Sequence, residues 1–107
     1  MGKFVIKQGD KDQYYFSLKA GNGQVILASQ GYSSMNACQS GIDSVMINSQ
    51  DDSQFEKKTS SNGKFYFNLK AGNGQIIGSS EMYESATSRD NGIASVISNT
   101  DGAVEMD

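Results

Sequence analysis

The chain contains one sequence pattern twice. A shift of 51 positions lays residues 13–49 on residues 64–100 without a gap, and 18 of these 37 positions are identical. Two copies are too few for a solenoid, which needs three or more stacked units to bury its faces. The repeat therefore predicts a closed pair of units related by a pseudo-two-fold axis.

Each copy opens with a strand pattern. Apolar and polar residues alternate over residues 14–20, as in a half-buried strand. Asn22-Gly23 then supplies the positive φ angles of a two-residue hairpin turn, and residues 25–29 form the returning strand. The second copy repeats this pattern around Asn73-Gly74. A shorter strand pattern precedes each hairpin, over residues 4–7 and 55–58.

The apolar period becomes helical after each hairpin. Ser34 and Ser85 precede the two helical segments and are expected to act as N-caps. Gly41 and Gly92 recur inside the helices, where glycine costs about 1 kcal/mol relative to alanine. Two explanations remain open for these glycines: close packing of the helix, or a ligand lying against bare backbone. The apolar positions of the helices are Met35, Cys38, Ile42, Val45 and Met46, and Ala86, Ile93, Val96 and Ile97.

The predicted order of elements is β-β-β-α-β-β-β-α-β, with a final short strand over residues 103–106. Sequential hairpins favour an antiparallel sheet, and two amphipathic helices can cover one of its faces, which is an α+β fold. At 107 residues the chain fits one domain. We therefore predict a single domain over residues 1–107, built from repeats at about 1–51 and 52–107.

The segment from Asn62 to Ser80, together with both Gly-Ile-x-Ser-Val segments, closely resembles the YegP family of bacterial proteins. The two-copy layout resembles that family as well. The resemblance implies a β(3)-α-β unit that pairs, either as two subunits or as tandem repeats, into one sheet with exchanged C-terminal strands. It implies no activity and supplies no catalytic residues, because the family is uncharacterised.

The side chains that usually carry catalysis are scarce. The chain has no histidine, so a Ser-His or Cys-His nucleophile is excluded. Cys38, the one cysteine, lies on the apolar stripe of a helix and is expected to be a core residue. Neither a zinc site nor the spaced ligands of a calcium loop occur. We predict no catalytic site, no metal and no cofactor, and therefore a protein that is not an enzyme.

One face of the predicted sheet is the best candidate for binding. If Phe16 and Leu18 face the helices, then Tyr15 and Lys19 point away from them. Val5, Leu27 and Val25 are predicted on this same outward face. The candidate binding residues are Tyr15, Lys19, Tyr66, Lys70, Lys7 and Lys58.

Three interpretations of this face remain open. It is a solvated sheet face, an interface for a protein partner or a second copy, or a surface that holds nucleic acid or another anion. The formal net charge of −3 argues against general nucleic-acid binding, although it can conceal a basic face.

No apolar run is long enough to span a membrane, and the N-terminus lacks the apolar core of a signal peptide, so we expect a cytoplasmic protein. Lys57 and Arg89 replace apolar residues of the first copy, and the sequence does not assign them a role.

Overall fold

The computed structural model describes residues 2–106. Seven strands and two helices follow one another in the predicted order, with short 3-10 turns at Asp10–Asp12 and Asp52–Gln54. Neither helix is long and apolar enough to cross a membrane within this part of the chain. The elements are β1 (Lys3–Gln8), β2 (Tyr14–Lys19), β3 (Val25–Ser29), α1 (Met35–Asn48), β4 (Phe55–Thr59), β5 (Phe65–Lys70), β6 (Ile76–Ser79), α2 (Ala86–Asn99) and β7 (Ala103–Met106).

The seven strands form one sheet in the order β4-β5-β6-β3-β2-β1-β7. This arrangement confirms the predicted α+β fold with exchanged terminal strands, since each helix carries the chain into the other half. After α1 the chain enters β4 beside β5, and after α2 it enters β7 beside β1.

All neighbouring strands in the sheet are antiparallel except β7, which runs parallel to β1, so the sheet is mixed. The antiparallel pairing predicted from the sequence is thus present in five of the six strand pairs. β7 is the exception because the segment after α2 lies beside the first residues of β1, so both strands start at the same end of the sheet. There Gly2 and Gly102 touch so closely that a Cβ on Gly102 would meet the Lys3 Cα at 2.9 Å.

The pseudo-two-fold axis passes between β3 and β6. Ala28 of β3 lies directly opposite Ser79 of β6, and these two residues are related by the repeat shift of 51 positions. A residue that faces its own equivalent marks a two-fold contact. The two copies therefore share one sheet across this pair of strands, and one hydrophobic core runs beneath both halves.

A β-bulge changes the face on which Leu27 lies. Leu18 pairs with Leu27 but the next residue, Lys19, pairs with Val25, which leaves Ile26 as the extra residue. Leu27 therefore points to the helices and is fully buried, and its predicted place on the outward face is wrong. Simple alternation fails here because it counts every residue of β3 as one step of the pleat.

The helices are placed by an aromatic stack that occurs in both copies. The Tyr32 ring stacks on Phe16 with centroids 6.1 Å apart, and the Tyr83 ring stacks on Phe67 at 6.4 Å. Each tyrosine ring lies directly against the helix at Gly41 or Gly92, where any Cβ would overlap it. Close packing is therefore the explanation of the repeated glycines, although the neighbour is a tyrosine from the loop before the helix.

Each tyrosine is itself fixed at two points. Its backbone forms a bridge to the start of a strand, from Tyr32 to Tyr14 and from Tyr83 to Phe65. Two residues later the predicted N-caps follow, and their hydroxyls accept hydrogen bonds of 3.0 Å from the amides of Ala37 and Ser88. The start of each helix is thus fastened to the sheet.

We expect Gly41→Val to destabilise the protein by about 1–3 kcal/mol through overpacking. A Cβ at Gly41 would lie 2.7 Å from the Tyr32 Cζ and 3.0 Å from the Phe16 Cε2. Gly72→Ala is the control, since a Cβ there meets no atom within 4 Å. Denaturant midpoints measure both variants, and an unchanged midpoint for Gly41→Val would contradict the packing.

The axis supplies a second stability prediction. A Cβ at Gly78 would lie 3.0 Å from the Leu27 Cγ and 3.1 Å from the Ala28 carbonyl oxygen. Leu27 and Gly78 are equivalent in the repeat. The Leu27 side chain occupies space at the axis that two leucine side chains, one from each copy, could not share. Gly78→Ala should therefore destabilise the wild type more than it destabilises the Leu27→Ala variant. A double-mutant cycle should give a coupling of about 1 kcal/mol, and additive effects would refute the shared space.

Candidate functional site

The outer face is the side of the sheet opposite the helices. A single row of paired residues crosses it from edge to edge, at right angles to the strands. With strands about 4.8 Å apart, this row is roughly 29 Å long. We call it the central row; it consists of Glu105, Val5, Ser17, Ala28, Ser79, Asn68 and Glu56.

All six predicted binding residues lie on the outer face, on either side of the central row. Lys7 is paired with Tyr15 in β1 and β2, and Lys58 is paired with Tyr66 in β4 and β5. Lys19 lies opposite Lys3, and Lys70 lies opposite Ile76. The structure does not gather the six into one pocket, since the tyrosines are separated by three strand spacings, or roughly 14 Å across the sheet.

The half of the outer face that belongs to the second copy is a hydrogen-bonded network. The Ser79 hydroxyl donates to the Asn68 Oδ1 at 2.6 Å, and the Asn68 amide donates to the Glu56 Oε1 at 3.2 Å. The Lys70 ammonium donates to the Glu56 Oε2 at 2.9 Å. Asn68 is only 6 % exposed, and both ends of its side-chain amide are hydrogen-bonded within the network. These hydrogen bonds, chiefly the one from Lys70, lower the pKa of Glu56 below its usual range.

The half that belongs to the first copy has small and apolar groups at the same positions. Val5, Ser17 and Ala28 replace Glu56, Asn68 and Ser79 of the network. Val5 is only 6 % exposed although it lies on the outer face. At the edge of this half, the Lys3 Nζ lies 3.4 Å from the Glu105 Oε1. The two halves of the face are therefore chemically different despite the repeat.

Two glycines position the more exposed tyrosine of the face. The Tyr15 ring is 41 % exposed and fits into space left by Gly9 and Gly31. A Cβ on Gly31 would meet the Tyr15 ring at 3.2 Å. The second copy has Ser60 and Met82 at these positions, so only the first copy provides this slot.

The outer face carries most of the positive charge of the protein. Five lysines and two glutamates give it a formal charge of +3, which leaves −6 for the rest of a chain whose total is −3. The lysines are Lys3, Lys7, Lys19, Lys58 and Lys70, and the glutamates are Glu56 and Glu105. The outer face is thus basic, although the net charge of the chain is −3.

The structure places Cys38 in the core, as predicted, with no exposed surface. Burial raises the pKa of the Cys38 thiol, so the group is protonated near neutral pH and is a poor nucleophile. Within residues 2–106, no group of three or more metal-binding side chains comes together.

A cavity of about 260 Å³, which the sequence did not indicate, lies on the helix side of the sheet between β4 and α2. Lys57 and Arg89, whose roles the sequence left open, lie at this edge. The Lys57 Nζ is 3.3 Å from the Asp90 Oδ1, which also accepts a hydrogen bond from Arg89. The Arg89 guanidinium lies over the Phe65 ring, 5.5 Å from its centroid. The cavity is lined by Asp52, Lys57, Asp90, Ile93, Ala94 and Ile97.

Comparison with known families identifies the repeat. The model of a domain of unknown function, DUF1508, matches the chain twice, over residues 10–56 and 60–105. The chain belongs to the DUF1508 family. Each match runs through one hairpin and one helix into the strand that follows, so the first reaches β4 and the second reaches β7. β1 lies outside both matches. It pairs with β2 in the way that β4 pairs with β5, so the position beside β2 is already filled and β7 pairs with β1 instead.

Relatives in this family resemble the chain over almost its whole length. The UPF0339 protein YegP of Escherichia coli is 55 % identical over 98 residues, covering 92 % of this chain and 89 % of the relative. A UPF0339 protein of Bordetella pertussis is 49 % identical over 106 residues, covering 99 % of this chain and 95 % of the relative.

Two solution NMR structures have the same fold. That of E. coli yegP, described as a protein of unknown function, has a TM-score of 0.94 and 51 % identity, and the match covers 99 % of this chain and 92 % of that one. That of a UPF0339 protein of Shewanella oneidensis has a TM-score of 0.93 and 44 % identity, with coverage of 98 % and 90 %. The family has no established activity, so the biochemical function is unknown.

The Glu56 network makes a pH-dependent contribution to stability. Because the pKa of Glu56 is lowered in the folded protein, its stabilising effect is present above the unfolded value of about 4.3 and is lost as the pH falls through the folded value. We expect Glu56→Gln to lower the denaturant midpoint at neutral pH and to lower it less near pH 3. Repeating both measurements in a Lys70→Met background should shrink this pH dependence. An equal loss at both pH values would contradict the assignment.

Proposed function

We propose that the protein is a non-enzymatic binding module of the cytoplasm, and that its outer face docks an acidic region of a partner protein. The single observation that supports this proposal most strongly is the separation of charge between the outer face, at +3, and the rest of the chain, at −6. Such a separation orients an approaching acidic surface and raises its rate of association.

The shape of the outer face also supports a protein partner. Ser17, Ala28 and Ser79 give the middle of the central row a low floor, which lets another surface approach the sheet closely. Tyr15 and Tyr66 stand on opposite sides of that floor, each beside a lysine. Tyrosine is enriched at protein interfaces because its ring is large, rigid and amphipathic.

A nucleic acid is less well supported as the partner. Glu56 and Glu105 close the two ends of the central row, where a strand of phosphates would enter and leave. Lys70 and Lys3 are already engaged by these carboxylates. Affinity for nucleic acids rests on the number of phosphates that basic side chains neutralise, so an ion-paired lysine contributes less.

The available side chains also favour binding over catalysis. The chain has no histidine to act as a general acid or base near neutral pH. Its cysteine is buried and protonated, and Glu56, the acid of the outer face nearest the centre of the network, is held ionised by its hydrogen bonds.

The proposal is tested by binding a short labelled peptide of alternating glutamate and alanine at low ionic strength. Amide chemical shifts of the full chain should change on the outer face. The double variant Lys19→Gln, Lys58→Gln should bind the peptide about fivefold more weakly, as expected for the loss of two surface charges. The matched control is Lys11→Gln, Lys57→Gln, which removes the same charge from the turn at Asp10–Asp12 and from the helix side of β4 and should leave the affinity unchanged.

An equal loss in the two double variants would show that only total charge matters and would overturn the docking surface. Tighter binding of an oligothymidylate of matched length would instead assign the outer face to nucleic acid. Detection of turnover that the Lys19 and Lys58 variant abolishes would contradict the non-enzymatic assignment.

A further inference from the structure

The pairing of β7 with β1 shows how this fold accepts an added strand. β7 lies parallel to β1, with Phe4 opposite Val104 and Ile6 opposite Met106 on the helix side. Between them, Glu105 lies opposite Val5 on the outer face. The added strand therefore presents two apolar side chains to the helix side and one polar side chain to the outer face.

The repeat contains a second strand equivalent to β1. A shift of 51 positions places β1 on β4, so that Phe4, Val5 and Ile6 correspond to Phe55, Glu56 and Lys57. β4 ends the sheet, and no described strand lies beyond it. An edge strand presents a row of backbone N–H and C=O groups that can pair with another extended segment.

The cavity of about 260 Å³ lies beside Lys57 of β4, where one side chain of such a segment would point. In the register of β7 on β1, the side chain equivalent to Met106 would lie beside Lys57 on the helix side. Lys57 lines this cavity, together with the aliphatic side chains of Ile93, Ala94 and Ile97 of α2. The edge thus combines an open backbone with a recess for an alternate side chain, which are the two elements of strand addition.

We propose that the β4 edge binds an extended segment of another protein, parallel to β4, in the register that β7 adopts on β1. The segment carries apolar residues opposite Phe55 and Lys57, the second of which enters the cavity. Between them it carries a basic or neutral residue opposite Glu56, because a carboxylate there would face a like charge directly across the strands. Of the residues that this proposal uses, only Glu56 also belongs to the outer face, and the proposal does not rest on the docking proposed there.

The chain's own β7 is excluded as the occupant of this edge. A β7 strand from a second copy would place Glu105 opposite Glu56. It would also have to leave β1, so that one strand pairing would be lost for each one gained. A head-to-tail contact of this kind generates rings or filaments of many copies and not a two-fold dimer. Glu56 thus discriminates between a foreign strand and the chain's own β7.

The test uses two synthetic peptides of residues 99–107, one with the native sequence and one with Glu105→Lys. Each is titrated into the isotope-labelled full chain. The Glu105→Lys peptide should shift the amide signals of β4 and of α2 around Ala94, and should bind about fivefold more tightly than the native peptide, since an attractive cross-strand pair replaces a repulsive one. Glu56→Gln in the full chain should remove most of that preference.

A second variant tests the cavity. Ala94→Met should fill it from α2 and abolish binding of the Glu105→Lys peptide, whereas Ser98→Met, on the same helix but outside the cavity lining, should leave it unchanged. Circular dichroism of both variants confirms that the fold is kept. Equal affinities of the two peptides, shifts confined to β1 and β7, or undiminished binding to Ala94→Met would each overturn the proposal.

Discussion

The pairing of β3 with β6 is the contact on which the rest of the fold depends. It joins the two copies at the pseudo-two-fold axis through Ala28 and Ser79, which are equivalent in the repeat. Only a short stretch of backbone forms this pairing, so the joint is reinforced beneath the sheet. There α1 packs against strands of both copies, and so does α2. Each helix therefore holds the two halves together while it carries the chain across.

The aromatic stacks set the distance between helices and sheet. In each copy a tyrosine ring fills the layer between a sheet phenylalanine and a helix glycine, and a larger residue at the glycine would force the layers apart. A helix with glycine in its middle is intrinsically weaker. The packing of Tyr32 and Tyr83 offsets that cost, because it buries aromatic surface that would otherwise face water.

The repeat gives both halves the same backbone scaffold, but the side chains at their outer surfaces differ. Val5 and Glu56 are equivalent, yet one is a buried apolar contact and the other anchors a network with Asn68 and Lys70. The edges differ too: β1 is covered by β7, whereas β4 has no described strand beyond it and lies next to a cavity. The two halves of the fold therefore present chemically different surfaces at the positions where the copies differ.

The sequence by itself determined the order of the elements, their caps and most of their inward faces. Alternation located Phe16 and Leu18 in the core, and Ser34 and Ser85 were identifiable as caps, because strand period and capping chemistry are local properties. The six candidate residues of the outer face followed from the same alternation. The repeated glycines indicated a close contact but not that a tyrosine makes it, because that contact joins residues from different elements.

The bulge in β3, the direction of β7 and the cavity were decided only by the tertiary structure. The bulge that turns Leu27 inward depends on how β3 pairs with β2, and the parallel direction of β7 depends on where α2 ends relative to β1. The cavity beside Lys57 is formed by residues of β4 and α2 together with Asp52, which are far apart in the chain. Each of these features arises from the relative placement of segments distant in the chain, and local periodicity carries no information about such placement.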